Sequence, residues 1–163
     1  MAVQRATQSP DDRASGHYAS GESLGLLIAR IAMGSIFLWS GFGKLSALSQ
    51  FTAGMVDRGL PSAQLLAPVG AAVEFAAAVA LILGAGTRIA ALGLAVFTVV
   101  ATMIAHRFWD FPVGEQRMQS IQFMKNVAII GGLAALIAVG GGRFSFDGML
   151  HGPSFPARPL NKR

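Results

Sequence analysis

The side chains best placed to do chemistry in this sequence stand inside, or at the ends of, long apolar runs: Arg30, Lys44, Glu74, His106, Lys125 and Asn126. A charge among apolar residues is costly to desolvate, so each such group needs a partner or a task. Arg30 falls six residues, roughly 9 Å of helix rise, past Leu24, where the first run opens. Glu74 falls nine residues, roughly 13 Å, short of Leu83, where the second run closes. In antiparallel helices those depths match, and pairing guanidinium with carboxylate would relieve two desolvation penalties together. The pair reads as a structural staple, with Arg30 otherwise snorkelling to a polar surface, or as a participant in substrate or proton handling. Glu74, far from either surface, is the stronger functional candidate.

The other candidates fall at the opposite ends of their runs. Lys44 closes the first, His106 the third, and Lys125 and Asn126 open the fourth. Antiparallel threading brings these ends to one face as a polar vestibule, whose N–H groups suit the carbonyl oxygens of an anionic or quinone-like headgroup. The plainer reading makes the Lys and His residues interfacial anchors and leaves Asn126 to bond a neighbouring helix. Several other chemistries are excluded. The chain has no cysteine, which removes disulfides, thiol relays, thiolate metal sites and iron–sulfur clusters held by its own ligands. Of its three histidines, His17 and His151 lie in the tails, so one chain offers no buried bis-histidine haem site. Gly84-Ala85-Gly86 lacks the preceding strand and the third glycine of a dinucleotide fingerprint. No metal-ligand spacing or acid–base–nucleophile set occurs. No resident cofactor is evident, and quinone is the small molecule the polar ends would suit.

The elements that must position these groups are membrane-spanning helices. Hydrophobic residues supply 53% of the 163 and charged residues only 13%, about half the share of a soluble protein; mean hydropathy is +0.54. Residues 24–43, 64–83, 89–105 and 121–139 form runs long enough to cross a hydrocarbon core of roughly 30 Å as helices. They are too long and too uniformly apolar for barrel strands. Trp39, Phe42, Trp109 and Phe111 fall where interfacial aromatic belts form. Between the first two runs, Leu45, Leu48, Phe51, Met55 and Val56 recur at three- and four-residue spacing among polar residues. That predicts a short amphipathic helix lying in the interface, stopped by Gly59-Leu60-Pro61. The expected fold is an all-α, four-helix integral membrane bundle. Gly70, Ala71, Ala77, Ala78, Gly93, Gly131 and Gly132 suit close helix packing in lipid.

Residues 1–22 and 148–163 are polar or rich in chain breakers and read as disordered tails around a transmembrane domain at 23–147. A cleaved signal peptide is disfavoured, because the first run is long, contains Arg30 and ends in Gly41-Phe42-Gly43-Lys44. The net charge is +5, but Lys and Arg flank apolar runs rather than forming a stripe, which argues against nucleic acid and for anionic lipid. Arg5, Arg13, Arg88, Arg143, Arg158, Lys162 and Arg163 fall on one side and Lys44, Arg58, Arg107 and Arg117 on the other. The richer side, with both termini, is expected to be cytoplasmic.

The order of several short motifs resembles the DoxX family of small bacterial membrane proteins. They are Arg30-Ile31-Ala32-Met33-Gly34, Gly41-Phe42-Gly43-Lys44-Leu45, Gly59-Leu60-Pro61, mid-span Glu74, Leu83-Gly84 with Thr87-Arg88, His106, and Lys125-Asn126 ahead of Gly131-Gly132. The resemblance covers about residues 24–147. It implies a four-helix fold in the bacterial cytoplasmic membrane. It also implies kinship with subunits of quinone-linked oxidoreductases, such as those oxidising thiosulfate, or of oxidative-stress membrane complexes. The leading functional expectation is thus a membrane subunit that supports electron transfer to quinone beside a partner that carries the redox cofactor. The alternative is a non-catalytic anchor or assembly factor for a partner protein. Lipid, a redox subunit and a second copy of the chain are the expected partners.

Overall fold

The computed structural model describes the backbone of residues 10–151 and the side chains of residues 21–150. Its helices are α1 (Pro10–Ser46), α2 (Leu48–Asp57), α3 (Ala63–Leu83), α4 (Thr87–Ala105), α5 (Val113–Val139) and α6 (Phe146–His151), with a 3-10 turn at Phe108–Asp110. No strand occurs among the described residues. Four segments are long and apolar enough to cross a membrane: Gly21–Ser46, Ala63–Leu83, Thr87–Asp110 and Val113–Val139. In hydrocarbon a helix is favoured because it satisfies its backbone donors and acceptors internally.

The packing pattern is that of a lipid-solvated bundle. The buried stripe of α3 is Ala63, Ala67, Ala71, Glu74, Ala78 and Leu81, mostly small and spaced by three or four residues. Large side chains point outward instead, with Trp39 83% and Ile89 80% exposed. Where lipid is as apolar as leucine, association comes from close backbone approach rather than from hiding large side chains. Gly41 supplies that approach between α1 and α3, since a Cβ there would lie 3.0 Å from the Phe75 nitrogen. Gly34 makes room for the Ile82 side chain and Gly132 for that of Met33.

Two helices end in one motif. Gly59 has φ +71°, Gly59 N donates to Val56 O and Leu60 N to Met55 O, closing α2. Gly84 has φ +73°, Gly84 N donates to Leu81 O and Ala85 N to Ala80 O, closing α3. Each glycine occupies the left-handed position that lets the last carbonyls find donors. The expected interfacial helix is therefore present as α2, which has no buried residue and lies across α1 and α3.

Three boundaries differ from the sequence expectation. Helix α1 begins at Pro10, well before Leu24, where the first apolar run opens; proline suits a first helical position, where its missing donor has no partner to lose. Helix α5 begins at Val113, so the polar stretch around Glu115 and Arg117 is two further turns of the fourth span rather than loop. After Val139 the chain turns at Gly140 (φ +87°) and Gly142 (φ +72°) and folds back onto the α3–α4 turn through α6. The expected disorder of residues 1–9 and 152–163 lies outside the described residues.

Candidate functional site

The expected Arg30–Glu74 pair does not form. Arg30 is fully buried and reaches the end of the bundle that carries the α3–α4 turn, where Nη1 donates to Ile82 O at 3.4 Å and Nη2 donates to Phe144 O. The Asp147 carboxylate is near enough to act on its charge. The same carboxylate caps the start of α4, accepting from Gly86 N at 2.7 Å and from Thr87 N and Oγ1 at 2.8 and 2.9 Å. Helix register explains the correction. Gly41 packs on Phe75, so Arg30 is level with Gly84, which lies ten residues, roughly 15 Å of helix rise, beyond Glu74. Depths counted from Leu24 and Leu83 treat those two residues as level, whereas the start of the first run extends past the end of α3.

Glu74 pairs instead with Lys44, at 2.6 Å between Nζ and Oε2. The carboxylate is 2% exposed and the lysine 23%. Lys44 Nζ also donates to Ser40 Oγ at 2.9 Å and lies 5.1 Å from the Phe97 ring centre and 5.5 Å from that of Phe51. Two aromatic faces and a carboxylate thus compensate a charge held inside the bundle.

Above this pair, under α2, lies a cavity of about 540 Å³. Lys44, Arg58, His106 and Asn126 are its polar lining, set among Phe51, Phe97 and aliphatic side chains. The vestibule expected at the outer ends of the spans exists in part: Lys44, His106 and Asn126 share one hollow, with Glu74 behind Lys44. Lys125 does not join them. It is exposed and donates to Gln122 Oε1 at 2.8 Å, because it follows the fourth helix round to the outside. Asn126 Nδ2 donates to Thr102 Oγ1 at 2.8 Å, the helix-to-helix bond expected of it. His106 Nδ1 sits 2.8 Å from Gln119 Oε1.

Arg58 is the lining residue that sequence reasoning missed. By position it is a flanking charge, yet it continues the α2 face that carries Phe51 and Met55 at four- and three-residue steps. Its Nη1 donates to Gly54 O at 2.8 Å. Donor capacity remains for a ligand. Lys44 has three N–H groups and Asn126 two, and each leaves one unspent by the bonds named above. Among the described residues no cluster of side chains suited to a metal ion occurs.

Comparison with known proteins agrees with this architecture. The DoxX family matches residues 25–107. Inner membrane protein YqjF of Escherichia coli (strain K12) is 34% identical over 130 residues, covering 80% of this chain and 95% of that protein. Inner membrane protein YphA of the same organism is 34% identical over 122 residues, covering 75% of this chain and 87% of that protein. No solved structure matches significantly. A family match across half the chain, joined to relatives aligned over most of their own length, establishes that this protein belongs to the DoxX family.

Proposed function

We propose that the protein is a multi-pass subunit of the bacterial inner membrane that holds a quinone headgroup in the cavity beneath α2. There it supports quinone-linked electron transfer by a partner carrying the redox centre. The observation that carries this reading is the convergence of Lys44, Arg58, His106 and Asn126 on an otherwise apolar hollow of about 540 Å³, a size and lining typical of small-molecule sites. A quinone ring needs hydrogen-bond donors at its carbonyl oxygens and apolar walls elsewhere, and the donor set fits that need. When bound, the quinone supplies the electron-accepting chemistry. The unspent N–H groups of Lys44 and Asn126 hold its oxygens, Glu74 holds the Lys44 side chain in place, and Phe51 and Phe97 form apolar walls.

The relatives' descriptions as inner membrane proteins support the same membrane for this chain. The distribution of Lys and Arg supports cytoplasmic termini. The test is quinone reduction by membranes carrying Lys44→Ala or Glu74→Gln. Both substitutions are expected to abolish it while leaving membrane insertion intact. Unchanged reduction in both would leave the bundle as a non-catalytic anchor for its partner.

A further inference from the structure

Two hollows meet at one wall. The cavity beneath α2 and a shallower groove of about 440 Å³ are both bordered by Lys44, Phe51 and Arg58. The groove runs between the outer end of α1 and α2 and adds Trp39, Gly43 and Gly54 to that wall. Trp39 is 83% exposed, and Ile36 and Phe42 beside it on α1 are 48% and 60% exposed. Such side chains on a membrane-spanning helix face lipid, so the groove opens sideways into the bilayer. Its floor is open: a Cβ at Gly43 would meet nothing within 4 Å, and one at Gly54 would meet only the flexible end of Arg58 at 3.4 Å. With no buried residue, α2 is a roof across both hollows rather than a plug.

Resting on the function proposed above, we infer that the ligand is a membrane-dissolved amphiphile whose head sits at Lys44 and Arg58 and whose hydrocarbon tail leaves along the α1–α2 groove into the lipid. The chemistry follows from the two linings. The shared wall offers cationic donors for an oxygen-bearing head, and the groove adds Trp39, Gly43, Ala47 and Gly54, with Ser40 and Gln50 among them, as a mostly apolar surface that a tail can lie against. Quinones and alkyl phosphates share this design of polar head and apolar tail.

The open floor permits a clean test. Gly43→Leu and Gly43→Met place a side chain in the groove, and Gly93→Leu is the control, since its Cβ also meets nothing within 4 Å but lies on α4. Binding is measured in lipid nanodiscs for three probes: a benzoquinone with a decyl tail, the same ring with a methyl in its place, and dodecyl phosphate. Each variant is compared with the wild type for the same probe, so partitioning into lipid cancels. The groove variants are expected to weaken the decyl quinone by about tenfold or more and to leave the methyl quinone unchanged, with Gly93→Leu altering neither. If quinones fail to bind but dodecyl phosphate shows the same groove dependence, the sideways tail path stands and the quinone reading falls. If neither tailed probe binds in a way that the groove variants weaken, the inference is overturned.

Discussion

Lys44 Nζ and Glu74 Oε2 lie 2.6 Å apart across the contact between α1 and α3, one turn outward from the place where Gly41 lets the two backbones close up. The carboxylate is buried and the ammonium borders the cavity, so the pair joins helix packing to the candidate site. Removing one partner of a buried pair costs about 3–5 kcal/mol. Here Lys44 can take up water from the cavity, which lowers the cost of Glu74→Leu to about 1–3 kcal/mol. In a double-mutant cycle by thermal unfolding in detergent, Lys44→Met with Glu74→Leu is expected to show a coupling of about 1–3 kcal/mol. Arg30→Met with Glu74→Leu should be additive. Coupling of Glu74 to Arg30 instead would contradict the register described here.

Asp147 joins the C-terminal segment to the α3–α4 turn, where it caps α4 and faces the Arg30 charge. Asp147→Ala removes three hydrogen bonds at the start of α4, so a loss of about 1–3 kcal/mol is expected. Arg30→Ala empties a fully buried site and should cost more. Detergent melting curves would order the two, and wild-type melting in both would rule out a structural inner knot.

Glycine substitutions separate the two demands made on that residue. Gly84 has φ +73°, and a Cβ there would overlap the Arg30 guanidinium and the Ser145 side chain. Gly84→Ala is therefore expected to destabilise by more than about 2 kcal/mol, through backbone strain and displacement of Arg30. Gly93 is helical with open space around it, so Gly93→Ala should be neutral or stabilising by up to about 1 kcal/mol. Equal melting temperatures for the two variants would refute the close packing at Gly84.

Much of the fold was legible because lipid as solvent imposes a simple rule on sequence. The apolar runs announced the spans, the spacing of Leu48, Phe51 and Met55 announced α2, and Gly59 announced its end. What escaped depends on register, which composition does not encode. The partner of Arg30 is set by Gly34 against Ile82 and Gly41 against Phe75, contacts between residues more than thirty positions apart. Asp147 gave no local signal of capping a helix that starts sixty residues earlier. Arg58 stands on the stripe of α2, but a charge at a helix end carries no sign of whether it lines a hollow or faces solvent. The first turns of α5 were hidden because Glu115, Gln116 and Arg117 interrupt the apolar pattern while the helix continues through them.

The absence of native cysteine makes sidedness directly measurable. Arg143 and Asp57 are both exposed and sit at opposite ends of the bundle. Arg143→Cys is expected to react with a membrane-impermeant maleimide only from the cytoplasmic side, and Asp57→Cys only from outside. The reverse pattern would invert the proposed topology.

The central claim is that the hollow between Lys44, Arg58, His106 and Asn126 holds a quinone. It is tested most directly by mass-spectrometric analysis of lipids extracted from the protein purified in mild detergent, wild type beside Lys44→Ala. The expected result is quinone retained by the wild type and lost from the variant at equal folded yield. Equal quinone content in the two, or none in the wild type, would contradict it.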